Sequence, residues 1–307
     1  MLRLGVCILP DRPFREAAPR WRRAEELGFA HAWTYDHITF SGIPDGPWFD
    51  AVTTLAAASA VTERIKLGTL VASPNFRHPV PFAQEVMSLD DVSGGRFMLG
   101  FGAGSFGPDS RVLGYGEDGQ GWSGKERGAR YRESVEILDQ LLSGAAEGRT
   151  RTTYRGTYYS AVDARMEPGC VQRPRVPFGL AATGPLGLRT VVKHAQLWIA
   201  DDTLAGRDGE VAEDVTWSAL EAAGKKLDRA LEEEGRDPAS LPRLLLSGLS
   251  PLRTMESQAR FDDVAGRAET LGFTDFVIHY PRESGAYATP AHVLDEIAPA
   301  RRPPTTL

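Results

Sequence analysis

The stretch Phe82–Gly104, FAQEVMSLDDVSGGRFMLGFGAG, decides the fold. Phe82 to Val92 reads as a helix. Gly94 and Gly95 close it, because glycine takes the left-handed backbone that helix C-termini favour. Arg96 to Phe101 then reads as a short buried strand, and the small residues Gly102, Ala103 and Gly104 follow it. Helix, stop, strand and small-residue end make one α/β unit, and the unit recurs in both directions. Upstream, Leu2, Leu4, Val6 and Ile8 alternate with Arg3, Gly5 and Cys7 at the period of a strand. A helix over Arg20–Leu27 follows, with Pro19 at its first turn and Gly28 at its end. Next come a strand at His31–Tyr35, an alanine-rich helix at Ala51–Val61 and a strand at Ile65–Val71. Downstream, strands are predicted at Val176–Ala181, Gln196–Ala200, Leu244–Leu249 and Phe273–His279. The helices between and beyond them fall at Leu188–His194, Val215–Glu234, Glu256–Leu271 and Ala291–Ile297. Eight strands alternating with helices predict an α/β fold, a closed (β/α)8 TIM barrel rather than an open doubly wound sheet.

Two stretches break the rhythm, one after the fourth strand and one before the fifth. Ser105–Gly128 carries seven glycines and reads as a lid-like loop. The helix Tyr131–Leu142 follows it, with Val135, Leu138, Leu141 and Leu142 on one face. Ser143–Arg175 is polar, with a hairpin expected through Tyr154, Tyr158 and Tyr159. The expectation is a single barrel domain over 1–307, with a disordered tail at 301–307. The composition suits an ordinary soluble protein: 42% hydrophobic and 25% charged, with formal charge −6. That mild acidity offers no footprint for nucleic acid or an anionic membrane. No run reaches the ~18 apolar residues of a membrane span. The first residues lack the apolar core of a signal peptide. Two cysteines, Cys7 and Cys170, form no disulfide framework. The chain is therefore expected to be a reduced, cytoplasmic protein.

In such a barrel chemistry sits at the C-terminal ends of the strands. Those ends carry Asp36 and His37, then Ser73-Pro74-Asn75, Gly102-Ala103-Gly104-Ser105, Thr183-Gly184, Asp201-Asp202, Ser250 and His279-Tyr280. No HxH stands at a strand end and no HExxH occurs, so no metal site is expected. No GxSxG nucleophile elbow occurs either. Gly102-Ala103-Gly104 does not continue as a GxGxxG dinucleotide motif opening a helix. What remains is a face of small and aromatic residues with few charges, suited to a flat, uncharged ring with a polar edge.

Several strings together resemble the bacterial luciferase-like superfamily of flavin and deazaflavin oxidoreductases. They are Ala24–Phe29, Thr62–Ile65, Gly68–Val71, Arg77-His78-Pro79, Ser93–Gly104 and Ala181-Ala182-Thr183-Gly184-Pro185. The resemblance covers Arg3–Ala200 well and the last third loosely, and it implies the same barrel. Tyr35-Asp36-His37 is similar to the Asp-His pair of the branch using coenzyme F420, an 8-hydroxy-5-deazaflavin. The resemblance implies that His37 is an acid/base or substrate-orienting group, a role that imidazole chemistry suits near neutral pH. It implies that Asp36 is catalytic and cofactor-binding, near the ring's central edge or holding His37. It further implies a non-proline cis peptide at Leu70-Val71 against the ring. Backbone approach at Ala103 and Gly104 and a phosphate loop at Ala182, Thr183 and Gly184 complete the cofactor site. Trp48 and Ser105 are expected in the substrate pocket. Ser105 stands where the sugar-phosphate dehydrogenases carry a glutamate proton donor, which puts a sugar-phosphate substrate in doubt.

The function this implies is coenzyme F420-dependent hydride transfer between the deazaflavin C5 and a small organic substrate such as an enone, imine or alcohol. Two alternatives stay open on these strings: an FMN-dependent monooxygenase using reduced flavin and oxygen, and a non-catalytic flavin- or ligand-binding barrel. The implied partners are the small-molecule substrate, a separate coenzyme or flavin reductase, and a second copy in a homodimer. His31, His194 and His279 read as structural, and Cys7 as a buried thiol.

Overall fold

The computed structural model describes residues 2–104, 108–115, 121–206, 211–248 and 252–299. The chain runs β1 (Arg3–Cys7), α1 (Phe14–Glu26), β2 (His31–Thr34), α2 (Ala51–Ser59), β3 (Lys66–Thr69), α3 (Pro79–Val92) and β4 (Phe97–Gly102). An excursion follows: α4 (Pro108–Val112), α5 (Gly124–Ser143), and β5 (Thr152–Arg155) with β6 (Ser160–Ala164). The rhythm resumes with β7 (Phe178–Ala181), α6 (Pro185–His194), β8 (Leu197–Asp201), α7 (Glu213–Glu233), β9 (Arg243–Leu246), α8 (Gln258–Thr270), β10 (Asp275–His279) and α9 (Ala291–Ile297). Eight parallel strands close in the order β1-β10-β9-β8-β7-β4-β3-β2, which is the TIM barrel that the alternation predicts. The expected hairpin forms as antiparallel β5 and β6, outside the barrel.

Alternation along each strand sorts side chains into two cores. Leu4, Val6 and Ile8 join the shell between strands and helices, whereas Cys7 and Leu9 join the barrel interior. Trp33 fills the interior and is fully buried. Its bulk needs room on the neighbouring strand, and Gly68 supplies it: a Cβ there would lie 2.4 Å from the indole. Gly5 likewise clears His31, whose ring bonds Asp275 at 3.0 Å and accepts from the Trp33 indole N–H at 2.6 Å. At Gly100 a Cβ would stand 1.9 Å from the Thr69 carbonyl oxygen. Gly5 and Gly68 thus make room for large rings, and Gly100 for the backbone at the end of β3.

Two element readings need correction. Helix α1 starts at Phe14, so Pro19 lies inside it and not at its first turn. Its ring faces solvent, and the buried face of Ala17, Ala18, Trp21 and Ala24 holds the helix through the missing bond. Helix α5 starts at Gly124, seven residues before its apolar face begins at Tyr131. The Ser123 hydroxyl caps it, accepting from the Glu126 amide at 3.2 Å. Arg130 bonds Glu126 one turn away and lies 3.8 Å over the Trp122 ring, so local pairs hold a turn with no apolar stripe. Part of the expected 105–128 loop is thus helical. Its residues 105–107 and 116–120, and the tail 301–307, lie outside the described residues. No helix among the described residues is long and apolar enough to cross a membrane.

Gly100→Ala is expected to lower stability by about 3 kcal/mol, since backbone and not a flexible side chain blocks the added methyl. Gly266→Ala, on the exposed face of α8 with open space at its Cβ, is expected to gain about 0.5–1 kcal/mol. Urea denaturation of both variants checks the pair; equal effects would contradict the steric account.

Candidate active site

The C-terminal ends of the barrel strands open into a cavity of about 1120 Å³. Asp36, His37, Leu70, Val71, Ala103, Gly104, Ala182, Thr183 and Gly184 all line it, so the fold gathers nine of the eleven expected site residues. Ser105 lies outside the described residues. Trp48 is not a wall of the cavity. It stands behind His37, donating its indole N–H to the His37 carbonyl oxygen at 2.9 Å and packing 5.1 Å from the Phe40 ring.

Asp36 does not hold His37. Its carboxylate is buried at the end of β2 and both oxygens are taken by the Arg77 guanidinium, at 2.7 and 2.8 Å. Burial pushes the Asp36 carboxyl above its ordinary range, and the two bonds from Arg77 pull against it. Arg77 also donates to Asp50 and to Glu85, each at 2.9 Å. Asp50 in turn caps α2 through the Thr53 amide at 2.7 Å. One guanidinium therefore ties the end of β2, the start of α2 and helix α3 together. The string Arg77-His78-Pro79 was visible in the sequence, but no local signal says that its arginine meets Asp36.

The partner of His37 is Asp109, on α4. Its Oδ2 lies 2.6 Å from His37 Nδ1, and its Oδ1 accepts from the Ile38 and Thr39 amides at 2.8 and 3.0 Å. Burial works against the Asp109 charge, but the bonds from His37 and the two amides outweigh it and hold the carboxyl below its ordinary value. With Nδ1 donating to a carboxylate, the neutral ring presents Nε2 as an acceptor. Sequence reading missed Asp109 because it sits in a glycine-rich stretch 72 positions from its partner.

The cavity floor is apolar, formed by Leu70, Val71, Ile199 and Leu246. The Leu70–Val71 peptide is cis, as the resemblance implied. Beside the floor, Gly104 takes the left-handed backbone (φ 70°), and a Cβ there would overlap the Asn75 side chain. Across the cavity, α6 starts at Pro185 with Gly184 as its N-cap and no side-chain cap. A Cβ on Gly184 would meet nothing within 4 Å. Pro185 has no N–H, so Leu186 and Gly187, which line the cavity, carry the first amides of α6, and a helix start with no side-chain cap suits an anionic group. On the side of β1 and β10, Tyr35 bonds His279 Nε2 at 2.7 Å, and Tyr287 stacks on the same imidazole at 3.7 Å. Burial pushes His279 down to about 3, so the ring stays neutral, in keeping with the structural role expected for it. Among the described residues no three His, Cys, Asp or Glu gather as a metal-ligand set.

A parallel barrel with an excursion after its fourth strand and a strand-end cavity defines a class of (β/α)8 proteins. Over residues 2–292 the chain matches the family described as luciferase-like monooxygenase, and it belongs to that family. It is 32% identical over 322 residues to an F420-dependent glucose-6-phosphate dehydrogenase of Beutenbergia cavernae, covering 91% of each chain. It is 28% identical to a 5,10-methylenetetrahydromethanopterin reductase of Methanopyrus kandleri, matching 75% of this chain and 62% of that one. Among solved structures, an F420-dependent secondary alcohol dehydrogenase in complex with an F420-acetone adduct superposes with TM-score 0.77 at 16% identity, over 98% of this chain and 99% of that one. At that identity the likeness shows the fold.

Removing the guanidinium in Arg77→Met strands a buried carboxylate, and a loss of about 3–5 kcal/mol is expected. The double variant Asp36→Asn/Arg77→Met is expected to recover ~1 kcal/mol or more, because the uncompensated charge is gone. Denaturant midpoints of the two variants check this; a double variant less stable than the single one would contradict it.

Proposed function

We propose that the chain is an oxidoreductase that exchanges hydride between coenzyme F420 and a small organic substrate. The observation that carries the reading is one cavity lined by three things together: apolar side chains, a helix start with no side-chain cap, and a carboxylate-held imidazole. The chemistry of these residues fits the coenzyme. Leu70, Val71 and Ile199 offer a flat apolar bed for a tricyclic ring. Thr183, Gly184 and the first amides of α6 offer donors and a favourable dipole to its phosphate, where the open space at the Gly184 Cβ leaves room. When bound, the coenzyme supplies hydride transfer at C5.

The protein supplies position, exclusion of water and the proton. Asp109 keeps the His37 Nδ1 proton in place, so Nε2 is the atom that takes a proton from the substrate or returns one. Asp36 stays out of that transfer; through Arg77 it fixes the turn that carries His37. The reading extends to a separate enzyme that returns the coenzyme to its starting oxidation state, and to pairing of two copies, as the family resemblance implies.

A panel of alcohols, ketones, enones and imines tests this, with deazaflavin absorbance as the signal. His37→Ala is expected to slow turnover of the accepted substrate by about 10²–10⁴-fold and to leave coenzyme affinity within about threefold. In Asp109→Asn the amide N–H₂ can face Nδ1 and turn the imidazole into the other tautomer, so a loss of about 10²-fold or more is expected. The double variant is expected to be no slower than His37→Ala, as for groups that act as a unit. Turnover that survives His37→Ala would contradict the proton role.

A further inference from the structure

A second cavity, of about 680 Å³, is lined by residues of α1, of α9 and of the segment that follows β10. It shares no lining residue with the strand-end cavity. Its volume falls within the roughly 300–1,000 Å³ of small-molecule sites. Its lining combines carbon surface, from the Tyr280 ring, Pro290 and Leu294, with the guanidinium groups of Arg20, Arg23 and Arg282. A pocket of apolar walls with a few charged groups is the usual build of a site for an organic ion.

Positive charge outnumbers its partners there. Arg23 is paired with Asp295. Arg12, Arg20 and Arg282 instead share one buried carboxylate, Asp11. Arg12 donates to Asp11 Oδ1 at 3.1 Å and Arg282 to Oδ2 at 2.8 Å. Arg20 comes no closer to Asp11 than 3.9 Å, beyond a hydrogen bond, and lies 5.2 Å from the centre of the Tyr280 ring. Its side chain is only 15% exposed, yet its N–H donors meet no acceptor among the described residues. Burial, with Arg12 and Arg282 adding to it, pushes the Arg20 guanidinium below its ordinary value. Arg282 spends Nε on Asp11 and Nη1 on the Ala286 carbonyl, at 2.8 Å each, and keeps Nη2 unspent. Glu283 also lines the cavity, but it is exposed and pairs with no cation among the described residues. Three guanidinium groups around one carboxylate leave an excess of two positive charges, and a cation withdrawn from water without an acceptor is costly.

We propose that this second cavity binds a phosphomonoester dianion, with its phosphoryl oxygens on Arg20 and on Nη2 of Arg282 and its carbon body against Tyr280, Pro290 and Leu294. The charge of such a dianion equals the excess around Asp11. Guanidinium forks match phosphate oxygens in pairs, so Arg20 gains the acceptors that Asp11 is too far away to supply. The cavity is larger than one phosphate group, and the apolar part of its lining rewards a carbon body that fills the rest. The site stands apart from hydride transfer, whatever coenzyme fills the strand-end cavity.

Isothermal titration calorimetry with phenyl phosphate, inorganic phosphate and phenol tests this on the full chain. Phenyl phosphate is expected to saturate, inorganic phosphate to bind about tenfold more weakly or worse, and phenol not to saturate. Arg20→Gln is expected to weaken phenyl phosphate by about tenfold or more. Asp11 keeps Arg12 and Arg282 in that variant, and cooperative urea unfolding reports that it is folded. Gly184→Asp places a carboxylate at the start of α6 in the other cavity, and is expected to leave phenyl phosphate within about threefold. No saturation by phenyl phosphate, equal binding of inorganic phosphate or of phenol, or a loss in Gly184→Asp with none in Arg20→Gln would overturn the proposal.

Discussion

A single buried guanidinium organises the catalytic end of this barrel. Arg77 holds both oxygens of Asp36 and reaches Asp50 and Glu85, so three carboxylates from different elements converge on one planar cation. Geometry of this kind is directional: the fork of N–H donors fixes where each carboxylate lies. Because Asp36 is anchored, the next residue, His37, leaves β2 in a defined direction. Because Asp50 is anchored, α2 starts at a defined place and the turn between them has fixed ends. Asp109 then closes on that turn from the other side, through His37 and the amides of Ile38 and Thr39. The site is thus built as a turn clamped from both flanks by charge.

The barrel was legible because its signals are local. Alternation at Leu2–Ile8 and glycine stops at Gly28, Gly94 and Gly95 need only neighbours a few residues away, and all three glycines take positive φ as their stop roles require. The strand-end positions followed from the fold, so most of the cavity lining could be named. What escaped depends on contacts distant in sequence. Asp109 is defined by a partner 72 positions away, and nothing in its own segment marks it. Pro19 sits inside α1 because the buried face around Trp21 outweighs one absent hydrogen bond, which local propensity weighs the other way. Trp48 could have faced either side of its turn; its place behind His37 is set by one hydrogen bond to a carbonyl. The early start of α5 rests on Arg130, Glu126 and Trp122, a polar arrangement that an apolar period does not reveal.

The central claim is that the strand-end cavity is built for a deazaflavin. Parallel fluorescence titration of the coenzyme-free protein with coenzyme F420 and with FMN tests it most directly. The account predicts saturable binding of F420 in the micromolar range or tighter, with FMN at least about tenfold weaker, a difference of ~1.4 kcal/mol. Preference for FMN would contradict it and would assign the same cavity to flavin and oxygen chemistry.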